Sequence, residues 1–139
     1  MIIKALLTLG ILIYGLLVPI LEISSTHVFN PNWPAHALLH EVWQLITNTL
    51  LGLYCLWLIW VKRKVVLPSL IGMLITGGFL VAYLLKGLYG GSMVHTDGSE
   101  ISLLGMNAGV MVFGLVFMGY AAALLIAYKK QTVQLQRAS

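Results

Sequence analysis

Four long apolar stretches, residues 2–21, 35–60, 65–85 and 101–128, leave this chain little choice of fold. Each is close to the 20 or so residues an α-helix needs to cross a hydrocarbon layer roughly 30 Å thick. The runs are continuous and do not alternate in ten-residue segments, which argues against a transmembrane β-barrel. With 60% hydrophobic and 9% charged residues in a length of 139, and a mean hydropathy of +0.96, the composition is that of a polytopic membrane protein. The expected class is all-α: a four-transmembrane-helix bundle, one membrane domain over residues 1–139, with both termini cytoplasmic.

Orientation comes from charge. Lys4, Lys62, Arg63, Lys64, Lys129, Lys130 and Arg137, seven of the eight basic residues, fall at one end of such a bundle, and only Lys86 falls at the other. The positive-inside rule makes the basic end cytoplasmic and puts the other at the periplasm of a bacterial inner (plasma) membrane. The net charge of +4 therefore records topology and contact with anionic headgroups. No basic stripe points to nucleic acid, so the lipid bilayer is the expected partner. Every acid and every histidine segregates to the opposite end, Glu22, His27, His36, His40 and Glu41 around the first loop there and His95, Asp97 and Glu100 in the second. Polar loops account for the acids of the second loop. They do not account for histidines entering a membrane helix, where ionisable groups are costly and mark function.

The first span, MIIKALLTLGILIYGLLVPIL, begins like a secretory signal, but its apolar run is longer than a usual signal core and no convincing small-x-small cleavage site follows. It is expected to be retained, and to be kinked or ended by Pro19 just before Glu22. Cys55 is the only cysteine, which rules out an internal disulfide and reads as packing. Trp57 and Trp60 read as interface anchors at the basic end. Gly72, Gly77, Gly78 and the Gly105-x-x-x-Gly109 pair suit close helix approach, and the tail after Tyr128 is expected to fray.

Chemistry concentrates in Thr26 to Gln44, THVFNPNWPAHALLHEVWQ. Asn30-Pro31 and Trp33-Pro34 make a rigid extended entry, and a helix should start near Pro34 or Ala35. His36 and His40 then lie one turn apart, and Gln44 and Asn48 continue a polar row roughly 18 Å long. Two neutral imidazoles at this spacing chelate a divalent transition metal such as zinc or iron, and His27 and His95 could complete a set of three or four ligands. Such pairs also occur without metal. Glu41, about 100° round the helix from His40, is a base candidate and not a first ligand. HAxxH lacks the glutamate of a metalloprotease helix. Glu100 and Asn107, seven residues apart, should share a face of the fourth span and offer an acidic mouth with an amide below it. The candidate residues are therefore His40, Glu41 and Glu100 for acid–base chemistry, Trp33, Gln44, Asn48 and Asn107 for a substrate pocket, and His27, His36, His40 and His95 for metal.

The same stretch resembles a small family of bacterial and fungal integral-membrane proteins of similar length, with the pattern T-H-x-[FY]-N-P-x-W-P-x-H-A-x-x-H. Thr26, His27, Phe29, Asn30, Pro31, Trp33, Pro34, His36, Ala37 and His40 match it. That resemblance implies four spans and carries no activity. A looser, motif-free similarity is to the sterol isomerase and sigma-2 receptor superfamily, which implies a His/Glu pocket open to lipids. Three function classes stay open: an intramembrane enzyme, metal- or His/Glu-dependent, acting on a lipid or other apolar small molecule; a non-catalytic binding or accessory subunit; and a transporter, which with four spans would need to be a homo-oligomer.

Overall fold

The computed structural model describes residues 1–95 and 98–138, with side chains throughout except those of residues 131, 133–135, 137 and 138. Among these residues, four helices are long and apolar enough to cross a membrane: Ile2–Glu22, Ala35–Trp60, Val66–Tyr89 and Ala108–Lys130. The protein is an all-α integral membrane bundle. The end that carries the loops 23–34 and 90–107 is here the loop end, and the end that carries Lys62–Lys64 is the basic end.

The first span has three parts, α1 (Ile2–Leu12), a π-helical turn (Ile13–Leu17) and α2 (Val18–Glu22). Pro19 explains the turn. It has no N–H for the Gly15 carbonyl one α-turn back, and the helix widens there instead of breaking. Thr49 on α3 (Ala35–Trp60) donates its hydroxyl to that carbonyl at 3.0 Å, so the polar group is satisfied from a neighbouring helix. Gly15 and Gly52 permit the contact: a Cβ on Gly52 would lie 3.5 Å from Gly15 Cα.

The first span touches the other three, and the most extensive contact is between α4 (Val66–Tyr89) and α5 (Ala108–Ala138). Leu7, Ile11, Tyr14, Cys55, Ile59, Tyr120 and Ala123 form the buried core. Tyr120 is its wedge. Its ring occupies the space a Cβ would need at both Gly10 and Gly72, and its hydroxyl donates to the Leu7 carbonyl at 3.3 Å. Tryptophan and lysine tie the basic end together: Trp60 Nε1 donates to Thr8 Oγ1 at 3.1 Å, Lys4 Nζ lies 5.4 Å from the Trp60 ring, and Lys62 Nζ lies 4.9 Å from the Trp57 ring.

Three boundaries differ from expectation. The fourth span starts at Ala108 and not at 101, because Ser102–Leu103 (β1) and Met106–Asn107 (β2) pair as an antiparallel hairpin. Leu104 and Gly105 turn it with φ of 54° and 79°, so Gly105 sits in a left-handed turn and is no part of a helical GxxxG face. The third span runs four residues beyond Leu85 to Tyr89, where Gly90 at φ 74° caps it. Finally, α5 continues to Ala138 through the tail expected to fray, a segment without glycine or proline to stop it.

Candidate functional site

At the loop end, residues 23–34 fold back on the last turn of the first span. Val28 N–H bonds the Glu22 carbonyl at 3.1 Å, and Phe29 N–H bonds the Ser24 carbonyl at 2.9 Å. Asn30 is the pivot of this loop. Only 2% exposed, it donates through Nδ2 to the Thr26 carbonyl at 2.9 Å and accepts the Asn32 N–H at Oδ1 at 3.0 Å. With the backbone so fixed, the Ser24 and Thr26 hydroxyls lie 2.9 Å apart and Thr26 Oγ1 lies 3.0 Å from His27 Nδ1.

His27 is the centre of the cluster. Glu22 Oε2 is 2.8 Å from its Nδ1 but off the line of a ring N–H; this oxygen is buried and has no hydrogen bond among the described residues. The His27 ring stands edge-on to Trp33, 5.5 Å away, and to His95, 5.0 Å away. Burial, and then the nearby His95, lower the His27 pKa below its ordinary 6.5, so the ring is held neutral. A proton on Nδ1, facing Thr26 and Glu22, leaves Nε2 as the basic atom. Glu41 is half-buried, and its carboxyl interacts unfavourably with that of Glu22 when both are ionised. Glu22, His27, Trp33 and His95 are thereby gathered at the loop end, with Glu41 close enough to Glu22 for their charges to interact.

The expected polar row is placed elsewhere. His36, His40, Gln44 and Thr47 are exposed, Asn48 is half-buried, and His40, Trp43, Gln44, Thr47 and Asn48 line an open groove of about 310 Å³ on the outside of the bundle. The inward stripe of α3 is Leu45, Gly52, Cys55, Leu58 and Ile59. Glu41, one turn above Leu45, belongs to that stripe, and the 100° between successive residues turns His40 away from it. Asn107 does not line this groove. It ends the hairpin, where Nδ2 donates to Glu100 Oε1 at 3.1 Å and Oδ1 caps α5 by accepting the Val110 N–H at 3.2 Å. The expected Glu100–Asn107 pair therefore exists, but the hairpin makes it and not a shared helix face.

The four histidines form two pairs and not one ligand set. His36 and His40 bring their Nε2 atoms to 3.0 Å, and among the described residues no group of three or more His, Cys, Asp and Glu side chains could hold a metal ion. Asp97, expected beside His95, lies outside the described residues. Glu22 and Asn30 are the site residues that sequence reasoning passed over. Glu22 could have been found as a carboxylate ending a membrane span five residues before His27, and Asn30 as an Asx turn before Pro31.

No protein-family model, curated protein or solved structure matches this chain. Fold and geometry define its class: an integral membrane helix bundle with a His/Glu cluster at the end opposite Lys62–Lys64.

Proposed function

We propose that the protein is a membrane enzyme that does acid–base chemistry on the polar end of a lipid or other amphiphile at its loop end. The observation that carries this reading is His27, held neutral, with Nδ1 2.8 Å from Glu22 Oε2. The Thr26 hydroxyl, 3.0 Å from Nδ1, orients the ring, and the carboxyl beside Nδ1 steadies by its charge the imidazolium formed when Nε2 takes a proton. Trp33 and His95 against the ring fix it further, and the apolar spans that end beside the cluster suit a substrate arriving from the bilayer. Leu7, Ile11, Tyr14, Cys55, Ile59 and Tyr120 fill the bundle below with apolar and aromatic side chains, which weighs against a monomeric transporter.

The test is reconstitution into vesicles of native lipid extract, with lipid species followed by mass spectrometry. Wild type should convert at least one species, and His27→Gln and Glu22→Gln should each lose that conversion while keeping their helical circular dichroism. Unchanged lipids with wild type would overturn the enzyme reading in favour of the accessory subunit. The same reading places the loop end at the periplasm or its equivalent. Ser25→Cys should then react with an impermeant thiol reagent on intact cells, and labelling only after permeabilisation would reverse the orientation.

A further inference from the structure

We propose that the outward face of α3 is the contact between two copies of this chain, and that His36 and His40 of both copies together hold one divalent transition-metal ion. The argument begins with what lipid cannot do. Gln44 and Thr47 lie two and three turns into a membrane span and are exposed on the outside of the bundle. Hydrocarbon offers no hydrogen-bond partner to an amide or hydroxyl, so polar groups on such a face belong against protein. Five residues, His40, Trp43, Gln44, Thr47 and Asn48, already shape that face as a groove.

The chemistry of the row selects the occupant. Amides of Gln44 and Asn48 are both donors and acceptors, so the face is complementary to itself. Two copies inserted in the same sense are related by an axis along the membrane normal, which sets equal residues at equal depth. His36 and His40 would then meet His36 and His40 of the partner subunit above Gln44.

Within one copy the pair is half of a metal site. The Nε2 atoms are 3.0 Å apart with rings at 84°, and two nitrogens on one tetrahedral zinc, each about 2.0–2.1 Å from the ion, are separated by about 3.3 Å. Opening that distance by a few tenths of an ångström and turning the two rings so that both Nε2 lone pairs face one point, with the ring that now donates carrying its proton on Nδ1, would let the pair bind one ion. Two ligands do not close a zinc site, and no acid or thiol joins them among the described residues. The second pair across the axis completes four nitrogens.

The experiment uses the full chain in detergent, zinc ion as the probe, metal content by mass spectrometry, and molar mass by light scattering. The expected result is about one zinc for two chains in a dimer, with chelation by EDTA weakening self-association about tenfold and added zinc restoring it. His36→Ala and His40→Ala should lose the ion and the zinc-dependent part of association, whereas His95→Ala should keep both. Gln44→Leu should weaken the dimer even in saturating zinc. No bound zinc, one zinc for each monomeric chain, or equal association with and without EDTA would overturn the proposal. The EDTA comparison is made on wild type, so a variant that fails to fold cannot decide the outcome.

Discussion

The two ends of the bundle solve opposite problems. Toward the basic end, apolar side chains and one aromatic wedge close the helices on each other: Leu7, Ile11, Cys55 and Ile59 are at most 2% exposed, and Tyr120 fills the space left by Gly10 and Gly72. Toward the loop end, Asn30 and Leu45 are buried, but His27, Glu22 and Glu41 are only partly so, and what fixes them is hydrogen bonds within a short loop. In a bilayer, close packing is what holds helices together, because lipid removes the hydrophobic gain of association. A packed half can therefore supply the stability that permits polar, imperfectly paired groups in the other. Glu22 Oε2, buried without a hydrogen bond among the described residues, is tolerable only on such a foundation.

The largest effect that separates the two halves should come from the wedge. Gly72→Ala puts a methyl group inside the Tyr120 ring, with Gly10 on the other side denying the ring room to retreat. Overpacking of this kind costs about 3 kcal/mol, and the melting temperature in detergent should fall accordingly. A melting curve within error of wild type would mean that Tyr120 is free to move, and the contrast between the halves would lose its basis.

A smaller, pH-dependent effect should come from the loop end. His27 is held neutral in the folded protein, while in the unfolded chain it titrates near 6.5. As pH falls through that value the unfolded state binds a proton that the folded state resists, so this group favours unfolding increasingly below about pH 6.5 and is without effect well above it. His27→Gln should flatten the fall of melting temperature between about pH 7 and 5, with little change at pH 8. Equal slopes in the two proteins would show that His27 is as solvated as a free imidazole, and would remove the neutral base from the proposed chemistry.

How far the sequence anticipated this division depends on which physical signal each residue carries. Apolar length marked all four spans, because the bilayer sets one length for every helix that crosses it. Cys55 read as packing and is fully buried. The hairpin was missed because ISLLGMN is as apolar as a helix start, and its only marks are Leu104-Gly105, a weak turn signal beside Asn-Gly, and Asn107 as a cap. At the site, the helical period correctly placed His36 beside His40 but could not say which way that face points. Direction is decided by the stripe through Leu45, Gly52 and Cys55, where Gly52 lies against Gly15, and that close approach is a tertiary fact. The convergence of Glu22 on His27 depends on the fold of residues 23–34, which no periodicity encodes.

The smallest expected effect gives the finest test of the comparison, because it asks whether the polar row belongs to the fold at all. Gln44 is exposed and makes no hydrogen bond among the described residues, so in a single copy its side chain contributes no internal contact. Replacing it by leucine would exchange an amide for an apolar group of similar length on the outside of the bundle. In monomeric protein the stability against unfolding should stay within about 0.5 kcal/mol of wild type, or rise slightly, since an amide facing hydrocarbon is itself unfavourable. Had the row lined an interior pocket, the same change would have stripped hydrogen bonds from buried partners and cost about 1 to 3 kcal/mol. Measured at a chain concentration low enough to hold the protein monomeric, a loss of that size in Gln44→Leu would turn α3 about its axis and return His36 and His40 to the interior. An unchanged value fixes Gln44, and with it the row that begins at His36 and His40, on the outer face of the bundle.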